Sequence, residues 1–444
     1  MSEDTIPIKT APPIEKKTTV GNYFVSNYPP FSFWKQEDVP DYNKALGQSP
    51  KSNIPLGIYV HIPFCRKRCH FCYFRVYTDK STKEIRRYLA ATLKELQAYA
   101  DSPYLQGRKP EFVYFGGGTP SSLSVKDLIS LTDEMKRILP WDKAEEVTFE
   151  CEPGTLTEKK LEAIKNLGVT RLSLGIENFK DHILEINGRA HRSEEVFKAY
   201  EFARGLGFDN INVDLIAGML EETDENWSDC IDRVIDLSPD CVTIYQMEVP
   251  FNTGIYKTMK EQGSLTAPIA DWQTKRRWVK EAFERLESEG YSVTSAYTAV
   301  KNPKETKFVY RDSLWTGADM VALGVASFGH LGGIHYQNLT HLDQYCESIE
   351  TGKPVVRRAL LTNEEELFVR EIILQWKLGR VYPSYFQEKF GIDVQERYAE
   401  VFEAWEKAGD LEKREDELRL SRDALLRVDS MLYDLFLPRH KDSA

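Results

Sequence analysis

The chain has 444 residues, enough for one large domain with one or two smaller ones, and its 41% apolar content supports a real core. A formal charge of −11 argues against a broad nucleic-acid footprint. No apolar run approaches the roughly 20 residues of a membrane span, the N-terminus is polar and acidic rather than a secretory signal, and seven cysteines, three of them clustered, do not suggest a disulfide framework. The expected setting is a reducing cytoplasm.

Residues 1–20, rich in Lys, Thr, Pro and Glu, are expected to lack fixed structure. Residues 21–50 carry Tyr23, Phe24, Tyr28, Phe31, Phe33 and Trp34, an arm too apolar to float free. It is expected to lie against the main domain, as plain packing or as a lid. A βα alternation then begins, with a first strand at 58–62 followed by a cysteine-rich loop. Ser81 and Glu84 form a capping box for a helix at 81–100, with Ile85, Leu89, Leu93 and Leu96 on one face. Further strands are expected at 112–115, 146–150, 171–175, 210–217 and 241–246. Helices are expected at 125–138, 161–167, 181–186, 194–206, 225–237 and 272–289.

Six strands alternating with helices imply a parallel sheet covered by helices, rolled by right-handed crossovers into a full or open barrel. In such barrels the working residues stand at the strands' C-terminal ends. The cysteine loop, Gly116, Gly117, Gly118, Glu150, Glu177, Asp214 and Gln246 all fall there and should converge on one face. Residues 291–345 are less regular, with 319–330 reading as buried strand or loop. A second capping box at Thr362 and Glu365 opens helices at 364–377, 382–390 and 394–408, two short β pieces near Leu411 and at 418–420, and a last helix to about Leu435. The expected architecture is an α/β fold. It has an arm (1–50), a partial (β/α)6 TIM-type barrel with its extension (51–355), and a small winged-helix-like α+β domain (356–444). Alternating signs on that last domain favour packing or substrate capping over DNA binding.

The chemistry centres on Cys65, Cys69 and Cys72, three thiols within eight residues. Three thiolates can bind three irons of a cubic [4Fe–4S] cluster and leave the fourth iron open. Structural metal sites instead supply four protein ligands. The glycines at 116, 117 and 118 allow close backbone approach to a ligand and free amides to bind it. Glu150 could accept from sugar hydroxyls, and Arg189 suits a carboxylate. Asp214 is an acid in an apolar strand, which calls for a partner. Residues 245–253 could line a cavity.

The spacing Cys-x3-Cys-x2-Cys with an aromatic before the third cysteine resembles the radical S-adenosylmethionine (SAM) enzymes. Tyr59-Val-His-Ile-Pro-Phe-Cys65, Gly116-Gly-Gly-Thr-Pro120, Arg171-Leu-Ser-Leu-Gly175, Asn187-Gly-Arg189, Asp214-Leu-Ile and the stretch 319–328 together resemble the oxygen-independent coproporphyrinogen III oxidase family. Its relatives include haem chaperones and class C radical SAM methylases and cyclopropanases. The resemblance implies cluster ligation by Cys65, Cys69 and Cys72, and reductive cleavage of SAM to a 5′-deoxyadenosyl radical. It implies SAM contacts from the glycine motif, Glu150, Arg189 and Asp214, with Tyr59 beside the sulfonium. It further implies a second SAM in the same cavity and a flavodoxin or ferredoxin as electron donor. Three positions depart from the pattern. The decarboxylating oxidases carry a fourth cysteine where this chain has Phe74, and a glutamine where it has Glu177. Of the chaperones' haem motif, residues 310–315 keep only Trp315. The expected function is therefore C-methylation or cyclopropanation of an apolar or aromatic small molecule. Oxidative decarboxylation of coproporphyrinogen III and haem carriage are the alternatives. Glu177 and Tyr59 are the candidate catalytic residues.

Overall fold

The structure, a computed structural model, describes residues 24–50, 54–261 and 269–441; residues 1–20 and Tyr23 lie outside them. After α1 (Val39–Leu46) the chain alternates through β1 (Leu56–Ile62), α2 (Thr82–Ala100), β2 (Phe112–Gly117), α3 (Val125–Ile138), β3 (Glu146–Cys151), α4 (Glu158–Asn166) and β4 (Arg171–Glu177). It continues through α5 (Asp181–Ile186), α6 (Ser193–Gly205), β5 (Asn210–Ala217), α7 (Asp224–Leu237) and β6 (Cys241–Gln246). Local chemistry explains the helix starts. Ser81, Ser124, Thr157 and Thr223 each accept from a first-turn amide, and the Glu84 carboxylate accepts in turn from Ser81 N (2.9 Å).

The six strands pair in parallel and in order. Their alternate residues divide cleanly. Ile58, Val60, Val113, Phe115, Leu172, Leu174, Val213 and Val242 are buried beneath the helices. The opposite positions point into the barrel and carry Tyr59, Tyr114, Glu150, Ser173, Asp214 and Thr243. The period-two pattern thus separates a dry outer core from a polar lumen.

Beyond β6 come α8 (Gly254–Glu261), α9 (Trp272–Ser288), β7 (Ser292–Val293), β8 (Thr298–Val300) and α10 (Val309–Trp315). β9 (Asp319–Leu323), β10 (Phe328–Leu331), β11 (Ile334–Asn338), α11 (Leu342–Glu350) and β12 (Val356–Leu361) follow. The less regular region thus contributes five short strands, β7 to β11, to the main sheet, with β9 and β10 inside the stretch expected as buried strand or loop. β9 pairs in parallel with β1, and β10, β11 and β12 extend that edge. The full order, β12-β11-β10-β9-β1-β2-β3-β4-β5-β6-β8-β7, is open rather than closed. Opposite the strands' C-terminal ends, Glu146 accepts from Val309 N and Tyr310 N (3.1 and 3.2 Å), so α10 plugs the barrel floor.

The C-terminal region begins with α12 (Glu364–Trp376). Its cap sits one residue later than expected: Asn363 accepts from Glu366 N at 2.9 Å, and Glu366 accepts from Asn363 N. The reason is that β12 runs to Leu361 and Thr362 is bound to Gly333 O, so the helix cannot start earlier. The helix expected at 394–408 breaks at Tyr398, and the last one breaks after Leu425. A three-stranded sheet of β13 (Arg380–Val381), β14 (Leu411–Lys413) and β15 (Leu418–Leu420) completes the winged-helix-like unit. Phe368, Trp376, Phe402 and Leu432 form its core together with Tyr28 of the arm. The arm therefore packs, with Trp34 stacked on His335 (5.1 Å between centroids). It also reaches the barrel mouth, where Phe24 N donates to Glu248 Oε1 (2.7 Å).

Candidate active site

The cysteine loop leaves β1 and is tied at several points. Cys65 N donates to Tyr77 O (3.1 Å), Tyr77 N to Pro63 O (2.8 Å), and Thr119 Oγ1 to Cys65 Sγ (3.3 Å). His70 lies between two candidate ligands but turns away from them, donating from its ring Nδ1 to Ile186 O (2.9 Å). Gly188 has φ +78°, and a Cβ there would meet the His70 ring at 2.9 Å, so the turn after α5 must be glycine. Gly118 serves the same end: its Cβ would lie 2.9 Å from Ile62 O and 3.0 Å from Cys65 Sγ.

Burial pushes the free thiols of Cys65 and Cys72 up to about 12 and about 11, and the neighbouring thiols add to it. Crowded, dry thiols need a bound cation before all three can ionise. A polynuclear cluster spreads its thiolates over several irons. The donor set fits the [4Fe–4S] group.

Above the loop the predicted acids converge. Glu150 accepts from Tyr114 OH (2.6 Å) and Gly117 N (3.1 Å). Asp214 accepts from Ser173 Oγ (2.8 Å) and Asn212 Nδ2 (2.9 Å). Arg189 Nη1 stands 3.6 Å from Glu177 Oε1 and 3.4 Å from Cys69 Sγ, its Nη2 donates to Gly175 O, and its Nε is buried without a partner. The Arg189 guanidinium thus faces the Glu177 carboxylate and the Cys69 thiol. Burial raises Glu150 to about 7, and the Asp214 charge adds to this against the Tyr114 hydrogen bond. Burial likewise raises Glu177 to about 7, opposed by Arg189 and reinforced by Asp214 and Glu150. Asp214 is also raised by burial, opposed by its Ser173 and Asn212 hydrogen bonds. Glu177 sits at a β-bulge with φ +66°, a conformation costly for a side-chain-bearing residue and most often met at functional sites.

Gly116 leaves room for Tyr59 and Glu150, whose side chains a Cβ there would meet at 3.1 and 3.2 Å. Two of the glycine amides are already used within the chain: Gly117 N by Glu150, and Gly118 N by Ile62 O (2.8 Å). Tyr59 OH bonds His61 Nδ1 (3.1 Å) and its ring stacks near Tyr114. Gln246, the last residue of β6, is turned to the C-terminal unit instead, where its Nε2 donates to Leu426 O (2.9 Å).

Sequence reasoning missed Tyr114, Tyr310 and Thr119 as site residues. The first lies two positions before Gly116 on β2, so the period-two rule could have found it. Tyr310 reaches the lumen from the floor, 4.3 Å from the Tyr114 ring, which strand periodicity does not reveal. Tyr245 is 43% exposed although it stands among Asp214, Glu150, Tyr73 and Glu177, so the space it faces is the lumen mouth.

The family model described as the radical SAM superfamily matches residues 59–234. Heme chaperone HemW of Bacillus subtilis is 30% identical over 338 residues, covering 75% of this chain and 86% of that protein. The chain belongs to the radical SAM superfamily, in its coproporphyrinogen III oxidase and haem chaperone family. The oxygen-independent coproporphyrinogen III oxidase of Pseudomonas aeruginosa is 27% identical over 418 residues, 90% of this chain and 89% of that one. The solved coproporphyrinogen III oxidase of Escherichia coli matches with a TM-score of 0.81 at 21% identity. That match spans 93% of this chain and 96% of that one, and it fixes the shared fold. In this radical SAM enzyme the cysteine loop and the three lumen carboxylates therefore stand at the mouth of a superfamily barrel. Among the described residues no helix is long and apolar enough to cross a membrane.

Proposed function

We propose that this radical SAM enzyme transfers carbon to a large apolar or aromatic ring substrate, by C-methylation or cyclopropanation with a second SAM. When bound, the cluster and SAM supply a hydrogen-abstracting radical. Cys65, Cys69 and Cys72 would hold the cluster. Arg189, whose Nε is unpartnered, would take the SAM carboxylate. Gly117 lies at the edge that would take the amino group. Glu150 and Asp214 would accept from ribose hydroxyls, and Tyr59 would stand beside the sulfonium. Glu177, raised to about 7, holds a proton at its carboxyl over much of the neutral range and so can donate as well as accept.

The carrying observation is the character of the lumen wall. Tyr59, Tyr73, Tyr114, Tyr245 and Tyr310 surround Glu150, Glu177 and Asp214, with Arg189 as the guanidinium among them. Such a wall favours aromatic and apolar surface. A tetracarboxylate would bring further anions against carboxyls that already resist ionising. The second reading, oxidative decarboxylation of coproporphyrinogen III, draws on the near full-length likeness to the Pseudomonas oxidase. Haem carriage draws on the likeness to HemW, but the stretch matching the haem motif here plugs the barrel floor.

The test is anaerobic turnover of the reconstituted enzyme with methyl-deuterated SAM and candidate ring substrates. Deuterium in a product supports carbon transfer. Carbon dioxide release from coproporphyrinogen III without label, with growth of an oxidase-deficient strain, establishes the second reading instead.

A further inference from the structure

A further buried acid, Glu152, stands one residue past the end of β3 and meets Arg66 of the cysteine loop. Arg66 Nε and Nη2 donate to Glu152 Oε2 (3.2 and 3.0 Å), and Nη2 donates also to Oε1 (3.1 Å). The same Nη2 donates to Ala190 O (3.3 Å), in the turn that carries Arg189. His191 approaches from that turn as well. Its Nδ1 lies 3.2 Å from Glu152 Oε1, and its Nε2 lies 3.2 Å from Ile176 O. A carboxylate gripped by two guanidinium nitrogens is held in direction as well as in place.

The backbone of the acid is fixed from a third side. Glu152 N donates to Ser121 Oγ (3.0 Å), one residue past the Gly116–Pro120 motif. Glu152 O accepts from Thr155 Oγ1 (2.7 Å) and Thr155 N (2.9 Å). Gly154 makes room for the contact. Its N donates to Glu152 Oε1 (3.2 Å), and a Cβ there would collide with Arg66 Nη2 and stand 3.0 Å from Glu152 Oε1. Burial would push the Glu152 carboxyl up, but the contact with His191 and the charges of Arg189 and Arg66 outweigh it and hold the group at about 2. One anion thus joins the cysteine loop, the glycine motif and the Arg189 turn.

We propose that Glu152 is a positioning residue, which fixes these three segments against one another so that the cluster and the SAM carboxylate are presented in one set relation. This inference rests on the proposed SAM site and deepens it. Arg66 stands between Cys65 and Cys69, so its grip on Glu152 sets the path of the loop and not the number of its ligands. The other end of the clamp adjoins Arg189, the group that would take the SAM carboxylate. Groups that orient the ligands of a metal from behind typically change affinity or activity by about 10–100-fold when removed.

The test compares Glu152→Gln, Arg66→Met and the double variant. Gly154→Ala crowds the clamp and removes no charge, so it carries the test should loss of the ion pair unfold the chain. Asp127→Asn, which breaks the Arg86 pair between α2 and α3 (2.7 Å), is the control. In the cluster-free chain, iodoacetamide labelling of Cys65, Cys69 and Cys72, mapped by mass spectrometry, should speed up severalfold in each single clamp variant. A purely electrostatic effect would move Glu152→Gln and Arg66→Met in opposite directions, since losing an anion favours the thiolate and losing a cation disfavours it. In the reconstituted chain, iron content should match the wild type. The Kd for SAM, read from the shift of the reduced cluster's electron paramagnetic resonance signal, should rise about tenfold. The double variant should be no worse than either single one, because the two groups act as a unit. Unchanged labelling and SAM affinity, opposite changes in labelling, additive losses, or equal losses in Asp127→Asn overturn the proposal. If the wild-type chain binds no SAM, the SAM-site assignment fails, whereas the labelling rates still decide the clamp.

Discussion

Gly118 is the residue where the fold and the candidate cluster site press hardest on one another. In Gly118→Ala the added methyl carbon would stand 2.9 Å from Ile62 O, 2.9 Å from the Pro63 carbonyl carbon and 3.0 Å from Cys65 Sγ. The first two are backbone atoms and cannot rotate away. Both belong to the exit of β1, whose register is locked to β2 and β9. Relief therefore requires moving the cysteine loop by a few tenths of an ångström, and overpacking of this kind costs about 1–3 kcal/mol. Gly205→Ala provides the control. A Cβ there meets nothing within 4 Å, and the site ends a helix. Alanine should stabilise it by up to about 1 kcal/mol. Urea unfolding and iron bound per chain after anaerobic reconstitution are the two readouts. We expect Gly118→Ala to lose stability and to retain severalfold less iron, and Gly205→Ala to keep its iron. If Gly118→Ala matches the wild type in both, the claim that this glycine seats the loop is wrong.

Replacing Cys65, Cys69 or Cys72 singly by alanine should abolish cluster absorbance while leaving the circular dichroism unchanged; Cys230→Ala, distant from the loop on α7, should keep the cluster. Glu150 rises from 4.5 to about 7 on folding, so the folded chain holds a proton that the unfolded chain has lost across that window. Its contribution to stability falls as pH rises from about 4.5 and is lost above 7. Glu150→Gln should therefore unfold at higher urea than wild type above pH 7 when ligand-free, with the advantage shrinking toward pH 4.5; the opposite trend would contradict the assignment. Lys377 Nζ is buried against Asp429 Oδ1 (3.0 Å) and Val25 O (2.6 Å). Lys377→Met strands the acid, at a cost of about 3–5 kcal/mol, and should expose the arm to proteases near Val25; an unchanged digestion pattern would refute the clamp.

Much of the barrel was legible because each signal was local. The capping residues, the strands from Leu56 to Gln246 and the three cysteines each follow from a few neighbouring residues. The misses share a different cause. The stretch 319–330 reads only as buried strand or loop because β9 gains its partner from β1, more than 250 residues earlier in the chain. The cap of α12 shifted because β12 is held by β11, and no local pattern records that hold. Tyr310 enters the lumen from the opposite end of the strands, so its role depends on how α10 closes the floor.

The sequence by itself determined the cofactor chemistry and the superfamily, because ligand spacing on one loop is a property of contiguous residues. It also placed Glu150, Glu177 and Asp214 at or near strand ends, since parallel βα repeats leave few alternatives. Only the tertiary structure decided what those groups experience. Each acid lies on a different strand, and register brings them into one desolvated lumen where Arg189 faces Glu177. That burial, with the neighbouring carboxylates added to it, raises their affinity for protons. The clamp at Glu152 is likewise a tertiary fact. The charges are written in the sequence, but whether Arg66 and Glu152 meet depends on how segments 86 residues apart pack together.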